Sequence, residues 1–202
     1  MRFSIGKVRV EISFLFCILL SCLVLFDSGL FLAAFLLVCA HESAHLFAMF
    51  LCGVHIDSVA LEPFGILIKR EKKALAFGRE ICIIFAGCFA NVFLATGSMI
   101  LYCFFGKKSI FLQLFFINIA LAVFNILPIT GLDGGDALLL ILRRHKSEEN
   151  AVNTGKTVSI ICCILLFIIG MIICFKVRLN PSLCFFSLFL MTRTLTARPQ
   201  SN

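Results

Sequence analysis

The residues best suited to chemistry stand where ionisable groups are least expected. Residues 39–50 read CAHESAHLFAMF, which places His41, Glu42 and His45 inside an otherwise apolar run. Their spacing is H-E-x-x-H. Positions i and i+4 share one face of a helix, so two imidazoles one turn apart can meet a single metal ion. Glu42 projects to the flank, close enough to take a proton from a water beside that ion. Ionisable groups at membrane depth are costly and mark functional sites. A polar pair that only joined neighbouring helices would not require two histidines and a glutamate at metal spacing.

Two imidazoles do not complete a catalytic zinc site, which keeps three protein ligands and one open position. The remaining histidines are His55, in a stretch of hairpin character, and His145, in the basic sequence RRHK. Both belong at the water or headgroup level. Asp133 is the better third ligand. It lies in NILPITGLDGGDALLLIL, where Pro128 interrupts a helix and Gly131, Gly134 and Gly135 permit tight backbone. Irregular backbone at membrane depth is tolerated where it lines a cavity. Asp136 competes for the role, although its position also suits a helix N-terminus. Asn125 has two readings, as a partner for a neighbouring helix or as a donor to a substrate carbonyl on which charge develops. Asn91 stands beside Ala86, Gly87 and Ala90, small residues that point to close helix packing, so it reads as structural.

These residues need a scaffold that tolerates lipid. Of 202 residues, 61% are apolar and only 14% charged, and the mean hydropathy is +1.08. That excludes an ordinary soluble enzyme, a disordered regulator and a secreted disulfide scaffold. The expected fold is all-α and polytopic, with about six transmembrane helices in the runs 10–26, 30–51, 81–105, 110–127, 158–175 and 181–195. The first run is expected to remain as an uncleaved helix, since no A-x-A-like cleavage site follows it. Between the second and third runs, residues 54–68 read VHIDSVALEPFGILI. Their β-branched residues and Pro-Phe-Gly turn predict a short membrane-associated β-hairpin. The eleven cysteines lie almost wholly within or beside the apolar runs, contain no C-x-x-C pair, and read as small packing residues.

The net charge of +7 is a topology signal rather than a nucleic-acid footprint. With the N-terminus in the cytoplasm and six spans, the inside segments collect fourteen of the eighteen Lys and Arg residues. Both termini are then cytoplasmic, and so are the hairpin and the loop over 143–157.

The chain resembles the site-2 proteases, zinc intramembrane metalloproteases of peptidase family M50. The resemblance is carried by His41-Glu42-Ser43-Ala44-His45, by the N-x-x-P-x-x-x-L-D-G-G pattern from Asn125 to Gly135, and by an AG-x-x-x-N element at Ala86, Gly87 and Asn91. It covers about residues 10–195. Departures from the family pattern are Ala44 where Gly is common and Cys88 where Pro is common. The resemblance implies one zinc ion held by His41, His45 and Asp133, with Glu42 as catalytic base. A single protease domain over 1–202 is expected, without a PDZ insertion; the expected lack of a C-terminal CBS domain is a further departure, from the sporulation-processing members of the family.

Within the family, the plan and the LEPFG hairpin are most similar to members that process a pro-sigma factor during sporulation of endospore formers. That similarity implies a membrane-associated protein substrate, a membrane-protein regulator, and a place in the mother-cell membrane around the forespore. Two other classes compete on the residues alone. One is a divalent-metal transporter using the same ligands; the other is an inactive homologue that binds membrane clients. The transporter reading leaves Glu42 without a task and lacks visible inverted repeats.

Overall fold

The computed structural model describes residues 2–5, 8–12, 29–62, 65–70, 75–105, 109–176 and 182–196. The chain divides into two compact units, Met1–Ala122 and Val123–Asn202.

The first unit carries a four-stranded sheet in the order β1 (Arg2–Ile5), β2 (Val8–Ile12), β3 (Ile56–Glu62) and β4 (Gly65–Arg70). β1 pairs antiparallel with β2, and β3 antiparallel with β4, with an irregularity between Ile56 and Ser58. β2 and β3 run parallel. Parallel neighbours cannot be joined by a tight turn, and the connection here contains the helix α1 (Gly29–Leu51). The register sets Phe3, Val10, Val59 and Ile68 in one row across all four strands.

The expectation of a first spanning helix beginning at Val10 is corrected here. Val10, Glu11 and Ile12 belong to a strand rather than to the start of a first spanning helix. The reason is local: VRVEI alternates apolar and charged residues at the period of a strand, not of a helix. The remainder of that expected helix, 13–26, lies outside the described residues.

α1 ends in a Schellman motif. The amide of Val54 bonds to the carbonyl of Met49 and that of Gly53 to Phe50, with Gly53 at φ +69°. This reversal sends the chain from the histidine-bearing helix back into the sheet. After β4 follow α2 (Phe77–Phe104) and α3 (Ser109–Ile126). The buried positions of α2 include Ile83, Gly87, Asn91 and Ala95, an i, i+4 stripe that presents small and polar groups.

In the second unit, α3 stops ahead of Pro128, which has no amide hydrogen and forbids helical geometry at the residue before it. The chain reverses over Leu127–Leu132 and enters α4 (Asp133–His145). The double glycine makes this reversal feasible. A Cβ on Gly134 would collide with the carbonyl groups of Ile126 and Leu127, and one on Gly135 with the carbonyl of Ile129. The reversal is tied to α5 (Glu148–Lys176) through Ser159. Its hydroxyl accepts the Thr130 amide at 2.9 Å and donates to the Gly155 carbonyl at 2.8 Å. Ile129 is fully buried with Cys163 of α5 and with Leu190 of α6 (Ser182–Thr196).

Four helices among the described residues are long and apolar enough to cross a membrane: α1, α2, α3 and α5. The expected sixth span is α6, of 15 residues. At 1.5 Å per residue it is about 22 Å long, short of a hydrocarbon core of about 30 Å. The basic stretch over 143–157, expected as a loop, is helical on both sides of a break at Lys146 and Ser147. An exposed ion pair between Arg143 and Glu148 spans that break.

Candidate metal centre

α1 sets His41 and His45 one turn apart, and both are buried, at 3% and 7% exposure. Their Nε2 atoms lie 3.2 Å from each other. α2 supplies the outer partners. The Nδ1 of His45 is 2.8 Å from the carbonyl oxygen of Ile83. A carbonyl only accepts, so Nδ1 carries the proton and donates, and the lone pair of this ring is on Nε2. The Asn91 amide lies 2.9 Å from Nδ1 of His41. Both rings are thus held from outside by α2, with their Nε2 atoms turned towards one point. A second partner that fixes the tautomer is the usual companion of a metal-ligating histidine.

Gly87 provides a direct test of whether a metal fits. A Cβ built on it would fall 2.6 Å from Nε2 of His41 and closer still to Nε2 of His45. Glycine therefore leaves open the space beside both Nε2 atoms. Two neutral imidazoles with one carboxylate form a donor set suited to zinc. The residues of the first unit fit their share of such a site.

Glu42 is half-buried on the flank of the same helix, beside the histidine face. In the second unit, Asn125 lies in the last turn of α3 and Asp133 is the first residue of α4, both half-buried. Asp136 also falls in the first turn of α4, because the helix begins at Asp133 rather than after the double glycine. Asp136 is exposed, and so are His55 and His145. Asn91 is the residue whose sequence reading changes most. Close packing was the expectation, whereas its amide meets the His41 ring. Its place four residues after Gly87, on the stripe that faces the histidines, was the available signal.

The sequence model of peptidase family M50 matches residues 103–168, a stretch that holds Asn125 and Asp133 but not the histidine helix. The chain also aligns along its whole length with a solved site-2 protease from Methanocaldococcus jannaschii. The TM-score is 0.72, with 20% identity and 98% of that chain covered. The fold is that of a site-2 protease. A zinc metalloprotease of the same archaeon is 28% identical over 145 residues, 68% of this chain and 42% of that protein. A Synechocystis relative named as a zinc metalloprotease is 32% identical over 127 residues, 59% of this chain and 32% of that protein. The chain therefore spans about two fifths of the first relative and a third of the second. The family model covers a third of the chain, and the fold that the chain shares with the solved site-2 protease comes with four apolar helices long enough to cross a membrane.

Proposed function

We propose that this chain is a zinc-dependent intramembrane endopeptidase of the site-2 protease type. The observation that carries the reading is the pair of buried imidazoles with converging Nε2 atoms on an apolar helix. In this reading His41 and His45 supply two ligands of one metal ion and Asp133 is the third. The chemistry such an ion supplies when bound is polarisation of the scissile carbonyl and activation of water near neutral pH.

The protein's own residues do the rest. His41 and His45 hold the ion from one helix face, and Asp133 supplies the anionic ligand. Glu42 accepts a proton from the attacking water and returns it to the leaving amine. Asn125 directs its amide towards the carbonyl oxygen on which charge develops. α2 keeps both imidazoles oriented, and the apolar helices limit access of bulk water.

The substrate is a membrane-associated pro-protein cut near its cytoplasmic boundary. Two features support this. First, Arg2 and Arg9 share one sheet with Lys69 and Arg70, so two of the basic clusters behind the cytoplasmic assignment lie on the same side. Second, β4 is an edge strand that pairs, among the described residues, with β3 alone. Such an edge can hold an extended substrate by strand addition, which a peptide bond must be to meet the water. A pro-sigma factor processed during sporulation, with a membrane-protein regulator and a site in the mother-cell membrane, is the specific form of this proposal and rests on the sequence resemblance.

The test is cleavage of a tagged membrane-associated pro-protein by the purified chain, set against Glu42→Gln. The variant keeps shape and ligands but has no base. Cleavage should fall by at least about 100-fold with metal content unchanged. Cleavage near the wild-type rate would remove Glu42 from the mechanism.

A further inference from the structure

We infer that Asn91 is a positioning residue for the metal centre, whose side-chain oxygen accepts the Nδ1–H of His41 when metal is bound. The inference rests on the reading of His41 as a ligand.

Asn91 is fully buried on α2, and its amide lies 2.9 Å from Nδ1 of His41. The NH2 group of Asn91 meets Nδ1, and Oδ1 is buried without a hydrogen-bond partner. A buried, unsatisfied amide oxygen is costly and calls for an explanation. In that orientation Nδ1 accepts, so the ring proton sits on Nε2. Nε2 can then donate across the 3.2 Å to Nε2 of His45, whose own proton is held by the Ile83 carbonyl.

Binding of a metal by both Nε2 atoms requires the other tautomer of His41, with its proton on Nδ1. A half-turn of the Asn91 amide then presents Oδ1 to that proton at the same distance. Amide oxygen and nitrogen exchange places with no change in shape. The ring stays neutral, with one proton before and after. Ile83 offers His45 a carbonyl, which fixes one tautomer permanently. Asn91 offers His41 either a donor or an acceptor, and so can serve either tautomer of that ring. A residue present only for helix packing would need no amide at this point.

The test compares the zinc affinity of the full-length chain in detergent, by competition with a chromophoric chelator, for wild type, Asn91→Leu and Asn91→Asp. Leucine keeps the volume without a polar group, whereas aspartate keeps an acceptor on Nδ1–H. Asn91→Leu should bind zinc about 10- to 100-fold more weakly, and Asn91→Asp should stay within about 3-fold of wild type, a smaller effect than loss of an outer partner causes. Wild-type affinity in Asn91→Leu would overturn the inference. So would a loss in Asn91→Asp as large as in Asn91→Leu at unchanged thermal unfolding. Should the leucine variant not fold, Asn91→Asp alone decides: retained zinc supports the role and lost zinc overturns it. A wild-type chain that binds no zinc would instead defeat the metal-centre reading itself.

Discussion

At the scale of single residues, Gly87 sets the sharpest constraint on the site. A methyl group there would lie 2.5 Å from Cε1 and 2.6 Å from Nε2 of His41. Two effects oppose each other in Gly87→Ala. Alanine favours the helix by up to about 1 kcal/mol, and overpacking costs about 1–3 kcal/mol. The imidazoles are the groups that must give way, since the helix backbone cannot. Gly87→Ala should therefore fold yet lose most of its zinc, as metal analysis of the purified variant would show. Full zinc occupancy in that variant would mean that the metal does not sit where the two Nε2 atoms point. The histidine pair and Glu42 were legible in the sequence because the H-E-x-x-H spacing is rare and misplaced in an apolar run. The part played by Asn91 was not, since its meaning depends on which face of α2 meets α1, and small residues around it suggest packing equally well.

At the scale of elements, the reversal between α3 and α4 is the feature most dependent on sequence. Pro128 stops one helix, and the double glycine lets the next begin against the carbonyls of the first. Gly135→Ala would drive its methyl into the Ile129 carbonyl and to 2.9 Å from the Thr130 amide nitrogen. Backbone cannot yield as a flexible side chain can, so this variant should lose about 1–3 kcal/mol of stability or more. Gly97→Ala is the matched control, because a Cβ there meets nothing within 4 Å; it should be neutral or slightly stabilising. Equal unfolding temperatures for the two variants would contradict the account of the reversal. Pro128 and the glycines announced irregular backbone in the sequence, but not the start of α4 at Asp133 itself. The strands β1 and β2 were hidden for a different reason. Four or five alternating residues are a weak signal beside a longer apolar run, and the pairing of β2 with β3 spans more than forty residues.

At the scale of the whole molecule, sidedness links charge to substrate class. Basic residues flank the sheet and the α4–α5 junction, whereas the segment between α2 and α3 carries only Lys107 and Lys108. With the native cysteines removed, a membrane-impermeant thiol reagent should label Lys107→Cys in intact cells and leave Lys72→Cys unlabelled. The reverse pattern would overturn both the topology and a cytoplasmic substrate. The count of spans was only partly legible. Hydropathy finds apolar segments, whereas helix length decides which can cross, and among the described residues α6 has 15 residues, short of a full span.

The central claim is that one zinc ion is held by two imidazoles of α1 and the carboxylate that opens α4. Metal analysis of the purified full chain beside Asp133→Asn and Asp136→Asn tests it most directly. The account predicts about one zinc per chain in the wild type and in Asp136→Asn, with a marked loss in Asp133→Asn. Full zinc in Asp133→Asn, or loss confined to Asp136→Asn, would contradict it.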